Sequence, residues 1–175
     1  MVNNLISDII PLKVGRKWVY KPQSTLMSLL GGDVTMEITE RNNNIYLLRL
    51  SVNNLKTTVI IKSNVDLSVI ALGKGHEGSL NDMAEFQEVQ NGEILKGPVV
   101  TGTEWSNNFG TFKIVNSDYT FKNGTRVIPD CILLHLKDLS NQDNSFCIKR
   151  GVGIIHASLY IDNIGRVNIG LKSFN

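Results

Sequence analysis

Apolar and polar residues alternate in short runs along most of the chain. Val34, Met36 and Ile38 fall on one face of an extended segment, with Thr35, Glu37 and Thr39 on the other. Tyr46-Leu48-Leu50-Val52 and Leu55-Thr57-Val59-Ile61 continue the pattern. A period of two over many runs predicts half-buried antiparallel strands, because successive side chains of a strand point to opposite faces. Asn and Gly punctuate the runs at Asn42-Asn43-Asn44, Asn53-Asn54, Ser63-Asn64, Asn91-Gly92 and Asn123-Gly124. Both residues tolerate the positive φ of tight hairpins. The pattern predicts an all-β fold, an antiparallel meander of about ten strands curled into an open barrel or sandwich. At most two short helices join it. Candidates are Asn3 to Ile10, Gln23 to Leu30 (helix or hairpin loop) and Ser79 to Glu88, where Ser79 with Asp82 three residues on makes a box-like start. The last stretch reads equally as loop followed by strand.

The C-terminal quarter alternates most cleanly. Ile132, Leu134, Leu136, Phe146, Ile148, Ile155, Leu159, Val167, Ile169 and Leu171 are expected on one core face. The opposite face carries Cys131, Leu133, His135, Ser145, Cys147, Ile154, His156 and Tyr160, a mixed surface. With a turn centred near Asn141, Cys147 falls opposite His135; with the next turn at Arg150-Gly151, it faces Ile154 with His156 one diagonal step away. His135, Cys147 and His156 are then a speculative cluster, either a soft-metal site or a thiol with imidazole neighbours. A chance grouping on a half-exposed face is the plainer reading of three ligands without an acid or a further thiol. The same register sets Cys131 opposite Gly151, so a Cys131–Cys147 bridge is not expected.

One phrase occurs twice. Pro11-x3-Gly15-x2-Trp18 returns as Pro98-x3-Gly102-x2-Trp105, at a constant offset of 87 residues. Pro opens a strand without losing a ladder bond, Gly permits a tight bend, and Trp lands inward to close a core. Each copy is expected to start one half of the meander. The chain is therefore one β domain, with two related halves of about 1–90 and 91–175 as the repeat reading. PLKVGRKWVY, the second P-x3-G-x2-W, NGTRVIPDCILLHLKD and KRGVGIIHASLYIDNIGRVNIGLKSF together resemble bacterial extracytoplasmic, lipoprotein-like domains. Those domains open with a "PL..G..W.Y" phrase and close with a G-V-G-(L/I) hairpin. Members are mostly of unknown function and are often anchored through a lipidated N-terminal Cys, which has no counterpart here. The resemblance implies a fold and an extracytoplasmic setting rather than a reaction.

Composition narrows the function classes. A hydrophobic fraction of 42% with 19% charged residues belongs to a folding domain and not to a disordered one. The 18 basic and 16 acidic residues are interleaved, and no Lys/Arg run exceeds the pair Lys149-Arg150. A protein that tracks phosphates concentrates its positive charge, so nucleic acid is not an expected partner. Apolar runs are far short of the roughly 18 to 20 residues of a membrane-spanning helix. The start lacks the charged and apolar regions of a secretory signal, which implies a cytoplasmic protein or a mature domain without its leader.

Chemistry is sparsely signalled. GKGHEG at Gly73 to Gly78 lacks the phosphate-cradling order G-x4-G-K-[ST] and reads as a hairpin loop. No G-x-S-x-G elbow announces a nucleophile, and no cofactor is implied. Trp18, Tyr20 and Trp105 are weak candidates for a ligand groove, since aromatic residues at regular strand positions are more often core. The expected function is a non-catalytic binding or accessory domain with a groove on the concave face for an apolar small molecule or peptide. The alternatives are a protein interaction module that uses a free sheet edge, and, third, a hydrolase.

Overall fold

Alternation becomes thirteen antiparallel strands of one sheet in the computed structural model, which describes residues 5–23 and 31–175. A one-turn helix α1 (Ile6–Ile9) precedes β1 (Lys17–Pro22), β2 (Val34–Asn42), β3 (Ile45–Val52), β4 (Leu55–Ser63) and β5 (Leu67–Lys74). A 3-10 helix at Leu80–Glu85 leads to β6 (Gln87–Glu88), β7 (Glu93–Leu95) and β8 (Glu104–Asn107). The long hairpin β9 (Gly110–Asn123) and β10 (Arg126–Asp138) follows, then β11 (Asp143–Lys149), β12 (Gly153–Ile161) and β13 (Gly165–Phe174). The strand order is β6-β5-β4-β3-β2-β1-β13-β12-β11-β10-β9-β8, with β7 alongside β5. Two meanders, β1 to β6 and β8 to β13, thus join where β1 pairs with β13. The sheet is curled and open, as the sequence pattern predicts. The strands beyond the ten expected are the short ones, β6 to β8, whose two to four residues are too few to show a period.

Turn chemistry follows the sequence. Asn43, Asn53, Asn91 and Gly124 all take positive φ at the predicted turns. Ser79 caps the 3-10 helix by accepting from the Asn81 N–H at 3.2 Å, so that stretch is a short helix followed by a strand. Of the N-terminal helix only Ile6–Ile9 forms among the described residues. The helix or loop expected at Gln23 to Leu30 lies, beyond Gln23, outside the described residues. Of GKGHEG, Gly73 and Lys74 end β5 and the loop begins at Gly75; His76 Nε2 lies 2.7 Å from the Leu50 carbonyl oxygen. Among the described residues no helix is long and apolar enough to cross a membrane.

Both copies of the repeated phrase form the same corner. The Arg16 N–H donates to Lys13 O at 3.0 Å, and the Thr103 N–H to Val100 O at 3.2 Å. Gly15 and Gly102 occupy the third position of these turns at φ 88° and 91°, a region that strains any residue with a Cβ. Each glycine N–H then donates to the neighbouring strand at Ile38 or Ile114, and that residue donates back to Arg16 or Thr103. Trp18 and Trp105 turn inward, 1% and 7% exposed. Their indole N–H groups reach the Val152 carbonyl at 2.6 Å and the Glu93 carbonyl at 3.0 Å.

The concave face holds the main core. Trp18, Ile38, Leu67, Trp105, Ile132 and Ile148 belong to it, and α1 inserts Ile6 and Ile9 into the same cluster. Two smaller clusters cover the outer face. Leu47, Ile60 and Ala71 lie beneath Leu80, Met83 and Phe86 of the 3-10 helix region. Cys131, Cys147 and Ile155 lie beneath Tyr119, Phe121 and Ile128 from the end of the β9–β10 hairpin.

The second outer cluster corrects the sequence reading in three ways. In β10–β11 Cys147 pairs with Leu133 and Cys131 with Lys149, two residues from the expected register. An even slip leaves every face unchanged. A bulge between Cys147 and Ile148 pairs Ile148 with Ile154 and Cys147 with His156, so Ile154 joins the main core and Ile155 the outer cluster, reversing their expected faces. The face expected to be mixed surface is buried at Cys131 and Cys147, because the hairpin end folds over it.

Truncating an inward Trp removes a large buried side chain and an indole hydrogen bond. Trp18→Ala and Trp105→Ala should each lower stability by about 3–5 kcal/mol in urea unfolding. A loss under about 1 kcal/mol for both would contradict the corner as a closing element of the core.

Candidate functional site

Where the two meanders end, the ladder stops. β7 runs against β5, pairing Leu67 with Leu95 and Ser68 with Glu93. Close approach there depends on two glycines. A Cβ at Gly92 would collide with the Val69 carbonyl oxygen, and one at Gly97 with that of Val65. The facing strand β8 makes no ladder with β7. Side chains bridge the seam instead: the Trp105 indole and the Asn107 carboxamide both donate to Glu93 O, at 3.0 and 2.7 Å. Asn108 Nδ2 donates to Gln90 O at 2.7 Å. Asn107 also accepts from the Phe109 N–H at 2.9 Å, which fixes the turn into β9.

Beneath this seam lies an apolar cavity of about 280 Å³. Its buried floor is Leu67, Val69, Leu95, Phe112, Leu134 and Ile148. Half-buried Ile10, Ile94, Phe109, Leu136, Phe146 and Ile154 form its rim. All twelve lining residues are apolar. Two walls are legible in the sequence, since alternation places Leu134, Leu136, Phe146 and Ile148 on the core face. Ile94, Leu95 and Phe109 carried no signal, because they belong to strands and turns of a few residues. Space between walls has no sequence signature.

The aromatic candidates are elsewhere. Trp18, Tyr20 and Trp105 are buried in the main core, and none lines the cavity. Trp105 supports it from behind, stacked on Phe112 with ring centroids 5.2 Å apart. Burial raises the Tyr20 phenol well above its ordinary pKa, and its hydroxyl has no hydrogen-bond partner among the described residues.

The speculative trio shares a face but not a site. Cys147 is buried and paired with His156, whereas His135 is exposed and pairs with Ser145. Among the described residues no three His, Cys, Asp or Glu side chains are grouped to hold a metal ion. His156 rests against Phe121, with ring centroids 5.2 Å apart. The terminal strands are short, with two residues in β6 and four in β8, and β8 pairs with β9 only over Gly110–Lys113, leaving the rest of β9 as a free edge among the described residues. Protein-family models, curated proteins and solved structures give no match to this chain.

Burial lowers the pKa of His156, because the protonated ring loses its hydration beneath the hairpin. The unfolded chain binds that proton more readily, so stability is lost as pH falls through the ordinary value of 6.5 toward the lower folded value. The loss of unfolding free energy between about pH 7.5 and about pH 5.5 should therefore be smaller in His156→Gln than in the natural protein. Equal losses in urea titrations would show that His156 does not titrate differently on folding.

Proposed function

We propose that the protein is a non-catalytic binding domain that holds the hydrocarbon part of a small molecule in the cavity beneath the seam. The observation that carries this reading is the lining, twelve side chains without one polar group. A ligand that placed an amide, hydroxyl or charge there would leave it unpaired, at a cost of several kcal/mol. This disfavours a peptide backbone and favours an alkyl chain or a fused apolar ring. Since a cavity of roughly 150 Å³ accommodates benzene, the space fits a segment of about eight to twelve carbons.

Energetics point the same way. The cavity is half open, so its unfilled apolar lining meets water, at a cost of about 25 cal/mol per Å² left exposed. An occupant that displaced this water would recover much of that loss. Entry is assigned to the seam, where three side-chain hydrogen bonds take the place of a ladder and can open without unzipping a strand pair.

The test uses N-phenyl-1-naphthylamine, an uncharged apolar fluorophore, with decanoic acid as competitor. The natural protein should give saturable enhancement, displaced by decanoic acid, with one probe per chain in native mass spectrometry. Leu136→Trp fills the rim of the cavity, and should weaken probe binding at least about tenfold while leaving stability equal or higher. Absence of saturable binding by the folded natural protein would overturn the proposal. Marked destabilisation by Leu136→Trp would instead indicate a space already filled by core.

A further inference from the structure

Cys131 and Cys147 are both free thiols, 0% and 3% exposed, on the paired strands β10 and β11. Their partners across the ladder are Lys149 and Leu133, which sets the two cysteines on one diagonal of the same face. Both belong to the outer cluster under Tyr119, Phe121 and Ile128. The Cys131 thiol donates to the carbonyl oxygens of Ile128 and Pro129, both at 3.5 Å, and the two thiols are near enough to influence each other's ionisation.

The cover is held by charge. Asp130, at φ 59° where the hairpin bulges, pairs with Lys149 at 3.1 Å and with Arg150 at 3.2 Å. Arg150 also donates to Ser117 O at 3.0 Å, so both strands of the hairpin end are tied to the β11–β12 turn. These contacts hold the thiols side by side and away from other chains. As diagonal neighbours on one face of paired strands, typically about 7–8 Å apart, they can be bridged with a small local adjustment of β10 against β11.

We propose that Cys131 and Cys147 form a redox pair that closes to an intramolecular disulfide. With hydrogen peroxide, one thiol is oxidised to a sulfenic acid with release of water. The second sulfur then displaces the hydroxyl as another water, so two thiols and one peroxide give one disulfide and two waters. With a small disulfide such as oxidised glutathione, one sulfur forms the mixed disulfide and the other resolves it, releasing two molecules of reduced glutathione. Burial raises the pKa of both thiols. Lys149, across the ladder from Cys131, favours a thiolate at that position over Cys147, against the opposing charge of Asp130. The bond ties β10 to β11 beneath the hairpin end and is independent of what the cavity holds.

The experiment treats the reduced, folded natural protein with hydrogen peroxide or oxidised glutathione, then unfolds it in urea and reads intact mass, thiol alkylation and peptide mapping. The expected product is a monomer lighter by two hydrogens, with both cysteines protected from alkylation until a reductant is added and no glutathione retained. Its thermal unfolding midpoint should exceed that of the reduced form. Cys131→Ser should lose the internal bond, leaving Cys147 as a free thiol or a stable glutathione adduct. The proposal is overturned if both thiols of the natural protein stay alkylatable after treatment that fully oxidises the urea-unfolded chain. Disulfide-linked dimers as the main product would overturn it equally.

Discussion

A curled sheet that does not close must satisfy two edges, and that constraint shapes this molecule more than any other. Unpaired N–H and C=O groups at an edge recruit other strands or lose free energy when buried. Here one edge ends in the two-residue strand β6, and the other ends in β8, which faces β7 across a seam. At the seam the Glu93 carbonyl accepts from both Trp105 and Asn107, so one oxygen does what a ladder would have done. Trp105 serves this bond and the packing of Phe112 together, which links closure of the sheet to the wall of the cavity.

The two P-x3-G-x2-W corners show how a local phrase sets a nonlocal outcome. Each fixes a turn, a pair of hydrogen bonds to the next strand, and an inward Trp. Their settings then diverge. Trp18 lies on a strand paired on both sides and bonds to Val152, whereas Trp105 lies on an edge strand and bonds across the seam. The same corner thus ends in a sealed core at one place and in a bridged gap at the other.

Legibility followed range. Strand periodicity and Asn/Gly turns are local, and Val34 to Ile61 as well as most of the C-terminal core face could be read from the chain. The even slip in β10–β11 was invisible to the pattern because it changes no face, yet it brought Cys131 beside Cys147. The bulge at Ile155 was invisible because one inserted residue looks like continued alternation in a run of Ile154-Ile155. Burial of the outer face depends on a hairpin end that folds across two strands, and the cavity depends on the distance between walls far apart in sequence. Neither quantity is written in a periodicity.

The space beneath the seam is bounded by Phe112, Leu134 and Ile148. Xenon enters dry apolar cavities and scatters strongly, so diffraction from crystals held under xenon pressure tests that claim most directly. The account predicts xenon in van der Waals contact with these three side chains, with little change in the surrounding backbone. Side chains of opposite walls packed against one another, with no xenon between them, would contradict it.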